Sequence, residues 1–340
     1  MAAPRRVLLR VVVAVLLLSV LALTALQQAV SDGPWWLELS RYLPYPLLVF
    51  PAVVGLLLAL ALGWRWVAAG VLTVALFATF AMGLVWNADP GDARADLRLM
   101  TYNVKALLAI ERPGGLAQLA GEIERHRADI VVMQDASPLM RGRDPARPGP
   151  MFGLPEVWNV GQYVIASRWP LADCRSAQAQ LDRDAIAYAR CEIDAGGKRF
   201  TLLDVHLESP RSGLVAARHE GLDGIELWRS NHAGRLGQAR ALAAAVRDEP
   251  RPLVVAGDLN APRSSAALQA LLAVGLRDAF ASAGRGYGYT YGHTLRPRFS
   301  FLRIDHVLVS DDVAVVRAFV GGKDASDHRP VVADLRLPAR

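Results

Sequence analysis

Apolar positions follow two regimes along this chain. Near the N-terminus they run unbroken. Val11–Leu26 carries no charge and extends back to Val7 if Arg10 turns its guanidinium outward; Tyr45–Leu62 and Trp66–Trp86 are two further runs. Each approaches the ~20 residues that cross a bilayer as a helix. Three transmembrane helices are therefore expected, at about 7–26, 45–62 and 66–86. No small-x-small cleavage pattern follows the first run, and two more runs do, which sets it apart from a signal peptide. Pro46 and Pro51 sit early in the second run, where they bend or delay a helix without abolishing it.

After Trp86 the pattern changes. Asn87–Asp96 (NADPGDARAD) reads as a linker. Short runs rich in β-branched residues then follow: Leu97–Val104, Asp129–Gln134, Tyr163–Ser167, Ala185–Ile193, Phe200–Leu207, Leu253–Ala261, Phe301–Val309 and Val331–Leu337. Helical spacing appears at Gly115–Arg127 and Asn231–Arg247. Strands apolar on both faces need cover on both, so the expected fold class is α+β, two packed sheets with helices outside. The division is a membrane anchor (1–86), a linker (87–96) and a folded domain (97–340). Glu208–Arg235, punctuated by arginines, reads as a solvated loop over the sheet, with a cap over a site as the alternative. The basic stretch Arg141–Arg147 is open in the same way.

Composition sharpens the first regime. Of 340 residues 53% are hydrophobic, and the mean hydropathy is +0.23, too apolar for a soluble enzyme throughout. Arg5, Arg6, Arg10 and Arg65 flank the apolar runs and place those ends in the cytoplasm. The loop 27–44 and everything after Trp86 then lie outside, as in a bacterial inner-membrane protein with a periplasmic or extracellular domain. Trp35, Trp36, Tyr42, Trp64, Trp66 and Trp86 fit interfacial anchors. The net charge of +6, from 38 basic and 32 acidic residues, inclines the chain weakly toward anionic surfaces or substrates. A solvated basic face beside lipid headgroups accounts for it equally. The two cysteines, Cys174 and Cys191, fall in neighbouring predicted strands on the outer side, where a disulfide and two thiols are both open.

Polar residues gather at strand ends. LVVAGDLNA (253–261) closes a buried strand with Asp258 and Asn260 two positions apart, on one face if the extension holds. Other strand ends present Asn103, Asp135, His206, Asp305, Asp327 and His328. Such a set of carboxylates, amides and imidazoles suits a hard divalent ion and a phosphate ester. The ion would polarise the phosphoryl oxygen while a carboxylate positions or deprotonates water. His126, His219, His232, His293 and His306 have no comparable context, and His306 should face away from Asp305.

Six motifs in order, TYNV, VVMQD, DVHLES, GDLNA, RIDHVLVS and SDHRPV, resemble the endonuclease/exonuclease/phosphatase superfamily across nearly all of 97–337. The resemblance implies a four-layered α/β/β/α sandwich, here behind three transmembrane helices, and hydrolysis of phosphate esters with Mg²⁺, or Mn²⁺. Asp135 is then a metal ligand, Asn103 a ligand or orienter beside it, and Asp327 binds a second metal or supports His328. Asp258 aligns or deprotonates the water, with His328 the alternative base. His206, Asn260 and His328 bind the phosphate, and Asp305 holds the His328 tautomer. Where the family has Gln-Glu this chain has Gln134-Asp135, a reach shorter by ~1.5 Å, one carbon–carbon bond. The implied reaction is hydrolysis of phosphodiesters, of the nuclease or phosphodiesterase type. A phosphomonoesterase or a phospholipase-like headgroup hydrolase is the alternative. The expected partners are a nucleic acid or lipid headgroup and the bilayer, with no obligate protein partner evident. A non-catalytic binding module of this fold would be marked by loss of Asp258, Asn260 or His328; all three are present.

Overall fold

The computed structural model describes residues 3–91, 93–144, 147–292 and 300–339. His293 and positions 145–146 of the basic stretch lie outside the described residues. The chain divides into two compact units, Met1–Val85 with Arg263–Ala266, and Trp86–Pro262 with Ala267–Arg340.

The first unit holds helices α1 (Ala3–Ala29), α2 (Trp35–Ser40), α3 (Tyr45–Ala59) and α4 (Trp64–Leu76), the last running on as a π turn to Ala81. Two helical stretches are long and apolar enough to cross a membrane, Pro4–Ala29 with 26 residues and Trp64–Ala81 with 18. The second expected span is shorter. Residues 60–63 leave the helix to reverse the chain, so α3 keeps 15 residues, roughly 22 Å at the α-helical rise against a ~30 Å hydrocarbon core. The loop after α1 is tied down within the unit: the buried Arg41 ion-pairs with Glu38 and donates to the Gln27 carbonyl at 3.1 Å.

Among the described residues the second unit holds two six-stranded sheets, apart from the two-residue strand Arg285–Gly286; the six-stranded sheets take twelve strands. In chain order they are β1 (Leu97–Asn103), β2 (Ile130–Gln134), β3 (Glu156–Val160), β4 (Tyr163–Ser167), β5 (Leu171–Leu181), β6 (Asp184–Ala195), β7 (Lys198–His206), β8 (Leu253–Asp258), β9 (Leu276–Asp278), β10 (Asp305–Ser310), β11 (Ala314–Val320) and β12 (Val331–Arg336). One sheet runs β9-β10-β8-β7-β6-β5, the other β11-β12-β1-β2-β4-β3. Helices α5 (Ala106–Glu111) and α6 (Gly115–Arg125) bury Ala109, Leu119 and Ile123 against Met100, Tyr102 and Val131 of the second sheet. Helix α8 (Gly221–Asp248) buries Leu242 and Val246 against Val205 and Val255 of the first. The result is the four-layered sandwich.

The stretch expected as a loop over the sheet is helical instead. Residues 211–219 form α7 and run directly into α8. A Cβ on Gly224 would lie 2.0 Å from the Ala216 carbonyl oxygen, so the two helices meet backbone to backbone. The glycines that allow this also blur the helical periodicity.

Cys174 on β5 and Cys191 on β6 are joined by a disulfide, with Cα atoms 4.1 Å apart. Thiol titration of the denatured chain should find no free thiol before reduction and two after; two thiols in the unreduced sample would contradict the bond.

Between the sheets lies a polar layer. Gln134 Nε2 donates to Asp204 Oδ1 at 2.6 Å and to Thr101 Oγ1 at 3.1 Å. Burial pushes the Asp204 carboxyl up to about 8, more than the hydrogen bonds from Gln134 and the Met133 main chain draw it down. Its folded value exceeds the unfolded 3.8, so this contribution to stability is full below that value and is lost as pH climbs through about 8. In urea unfolding between pH 6 and 9, wild type should lose stability that Asp204→Asn retains; parallel curves would refute the protonated assignment.

Candidate active site

Strand register brings the polar ends together. Asn103 of β1 is in register with Gln134 of the parallel β2, and Asp135 follows. His206 of β7 is in register with Asp258 of the parallel β8, which is itself opposite Asp305 of β10. Three strands of the first sheet thus deliver their polar residues at one level. Thr101 and Asn103, like Asp204 and His206, are two apart and share a face, so the site stacks on the Gln134–Asp204 layer. Gly257 makes the register possible: its φ is +152°, and a Cβ there would lie 1.8 Å from the Val205 carbonyl oxygen.

Asp258 is the hub. It is 1% exposed, and its carboxylate accepts from Asn103 Nδ2 at 2.9 Å and from the Asn260 main-chain N–H at 3.0 Å. Two imidazoles flank Oδ2, His206 Nε2 at 3.5 Å and His328 Nε2 at 3.7 Å. His328 Nδ1 donates to Asp305 at 2.9 Å, and Thr290 Oγ1 caps the main-chain N–H groups of Ile304 and Asp305. Burial alone would lower the His328 pKa, but the Asp305 and Asp258 carboxylates outweigh it and raise it. With Nδ1–H committed to Asp305, Nε2 can donate only in the imidazolium form, which this environment favours. His206 is held likewise, Nδ1 against Gln162 Oε1 at 2.6 Å and its main-chain N–H on the Tyr163 hydroxyl at 3.1 Å. Asn260 turns its amide to the Leu207 carbonyl at 2.8 Å, tying the β8 loop to the end of β7.

Asp135 stands at the rim, 31% exposed, with Lys105 Nζ 2.5 Å from Oδ2 and His206 Nδ1 3.9 Å from Oδ1. Burial raises its pKa, but His206 and Lys105 more than offset this and hold it below the usual carboxylate range. Asp327 is turned aside: its carboxylate ion-pairs with Arg112, which follows α5. Among the described residues, the buried set Asp258, Asp305 and His328 presents potential ligand atoms within 4.8 Å of one another. Asp305 and His328 are already engaged with each other, however, and a hard ion that keeps water needs accessible oxygens. Asp135 offers such oxygens and fits such an ion once Lys105 moves off the carboxylate; the Asn103 amide beside it is buried, its oxygen accepting the Lys105 main-chain N–H at 3.2 Å.

Several participants carried no signal in the sequence pattern. Lys105, Gln162, Thr290 and Tyr291, whose ring centroid lies 4.7 Å from that of His328, sit outside the strand ends. Backbone geometry is a signal for some of them: Lys105, Asp135 and Asn260 all adopt positive φ, at 44°, 51° and 47°, an uncommon conformation for side-chain-bearing residues, which Arg127, Phe152, Asp173 and Asp182 also adopt away from the site. His306 is buried in a structural role. It bonds the Ala261 carbonyl at 2.9 Å and contacts Asp278 and Arg303, bracing the loop that carries Asn260.

The sequence profile of the Endonuclease/Exonuclease/phosphatase family matches residues 100–328. The chain belongs to this family. Its members are divalent-metal-dependent phosphoester hydrolases, and the match takes in every residue described at the site. An endonuclease/exonuclease/phosphatase from Beutenbergia cavernae DSM 12333 shares the fold, with a TM-score of 0.50, 21% identity and 72% of each chain covered. The mannosyl-6-phosphatase Bt3783 of Bacteroides thetaiotaomicron VPI-5482 aligns at a TM-score of 0.47 and 16% identity, over 70% of this chain and 99% of its own. Truncated Caenorhabditis elegans TDP2 aligns at 0.48 and 18%, over 70% and 96%. No curated protein matches the sequence significantly.

Proposed function

We propose that this chain is a membrane-anchored phosphoesterase, dependent on Mg²⁺ or Mn²⁺, that hydrolyses phosphodiester bonds with its catalytic domain outside the membrane. The observation that carries this reading is Asp258, a buried carboxylate flanked by two oriented imidazoles. When bound, the ion at Asp135 and Asn103 would polarise the phosphoryl oxygen and neutralise accumulating charge. Asp258 then orients the attacking water and draws off its proton. His206 and His328, donating from Nε2, bind the non-bridging oxygens. Asp305 fixes the His328 ring and stabilises its charge. Asn260 holds the β8 loop in place. Asp327, paired with Arg112, supports the segment that carries His328.

Outward orientation draws support from the basic residues around the apolar helices and from the Cys174–Cys191 bond, since such bonds persist in oxidising compartments. The helices Pro4–Ala29 and Trp64–Ala81 support an integral anchor, with the boundary at the linker 87–96.

The test is hydrolysis by the full chain in neutral detergent across DNA, RNA, a chromogenic phosphodiester, a phosphomonoester and phospholipids, with Mg²⁺ and with chelator. Chelator-sensitive turnover with diesters preferred is the expected result. Preference for monoesters or headgroups would move the reading to the alternative hydrolases, and no turnover on any substrate by the folded protein would refute it.

A further inference from the structure

The second unit has a cleft of about 440 Å³ whose lining contains none of the residues described at the active site. Three arginines line it, Arg285, Arg317 and Arg329, against one acidic residue, Asp89. Asp89 is 77% exposed and lies 3.9 Å from Arg285, a separation at which solvent screens most of the attraction. Arg317 is exposed and rests over the Phe319 ring at 5.2 Å; among the described residues it has no carboxylate partner.

Arg329 is the telling member. It is half-buried, and its guanidinium uses Nε and one amino group on the carbonyl oxygens of Gly321, at 2.9 Å, and Tyr289, at 3.2 Å. Neither acceptor carries a charge. Burial lowers its pKa, and the carboxylate that acts against this, Glu122, is already taken by Arg125, by His126 and by the Gly322 N–H. A partly desolvated cation without a counter-ion is a costly arrangement unless an anion completes it. Guanidinium forks match the oxygens of a phosphate group, and Phe280 and Phe319 offer an apolar wall for an organic remainder.

We infer that this cleft is a second anion site, holding a phosphate-ester group other than the one at Asp258. Two sources present that chemistry, a soluble phosphate ester and the headgroup of an anionic phospholipid. The lipid source fits one further fact: Ala88, Asp89 and Pro90, from the segment leading out of the apolar helices, line the cleft. The site is also joined to the reaction centre. Arg329 follows His328 in sequence, and its main-chain N–H donates to Thr290 at 2.8 Å, within the same strip that lays Tyr291 on the His328 ring.

The test is calorimetric titration of the full chain in neutral detergent, with chelator present, using inorganic phosphate as the probe. One binding event is expected. It should weaken at least tenfold in the double variant Arg285→Gln, Arg317→Gln, whose side chains are exposed, and persist in Asp258→Asn. No event in wild type, an unchanged event in the arginine variant, or its loss in Asp258→Asn would each overturn the proposal. Nanodiscs identify the source. If phosphatidylglycerol abolishes phosphate binding and phosphatidylcholine does not, the headgroup fills the cleft. Equal binding in both, with glycerol phosphate competing, assigns it to a soluble ester.

Discussion

Asp258→Asn is expected to reduce metal-dependent phosphoester hydrolysis by about 10³-fold, the order lost when a positioned base or charge stabiliser is removed. The substitution keeps the size of the side chain and an acceptor for the Asn260 N–H, so the β8 loop should hold. It removes the charge that faces His206 and His328, and with it the group that can take the water's proton. Asparagine is a cleaner probe than alanine here, because a truncated side chain would leave the Asn103 amide, buried at 0% exposure, without its acceptor. Circular dichroism and the unfolding midpoint should match wild type while kcat falls. Activity within tenfold of wild type would remove Asp258 from the mechanism and leave His328 as the base.

At Asp135 the expected loss falls on the metal. Asp135→Asn should abolish stimulation by Mg²⁺ and raise the Mn²⁺ concentration needed for half-maximal binding by at least tenfold, since a neutral amide oxygen is a far weaker ligand for a hard ion than a carboxylate. The backbone again selects the substitution. With φ at 51°, position 135 tolerates Asn, whereas alanine would add left-handed strain of about 1 kcal/mol and confound folding with function. Metal titration followed by Mn²⁺ electron paramagnetic resonance gives a readout independent of turnover. Unchanged Mn²⁺ affinity would place the ion elsewhere, with the buried set around Asp258 as the next candidate.

How much of this was legible in the sequence depended on where each strand lies. The eight runs read as strands are the interior strands of the two sheets, since burial on both faces writes a continuous apolar signal. The four strands without such a signal, β3, β5, β9 and β11, are the four sheet edges. Their solvated faces carry Glu156, Arg175, Gln178, Arg277 and Arg317, polar side chains that keep an edge from pairing with another molecule and also erase the pattern. The α7–α8 pair was hidden for a different reason, because its contact is made through main chain at Gly224.

At the candidate site, five of the residues named from the sequence lie at the ends of interior strands, Asn103, Asp135, His206, Asp258 and Asp305, while Asn260 and His328, named from the same motifs, stand just outside them. The strand period fixes the direction of the five, and the apolar run beside each one, before the first four and after Asp305, announces it. Asp327 shows the limit of that logic. It stands beside His328 in one motif, yet successive residues point apart, and its carboxylate meets Arg112 instead of the cluster. Lys105 shows another limit. A lysine after a strand is ordinarily solvated, and only the left-handed backbone at this position turns its ammonium onto Asp135.

The place of β12 has a consequence for how the protein is made. Val331–Arg336, the latest strand in chain order, lies between β11 and β1, and β1 is the earliest. Until those six residues are made, the second sheet has no strand to join its edge β11 to β1. His328 comes three residues before that strand, so the imidazole that faces Asp258 is set in place only as the sheet closes. A nascent chain that has not yet reached Val331 therefore lacks this part of the site.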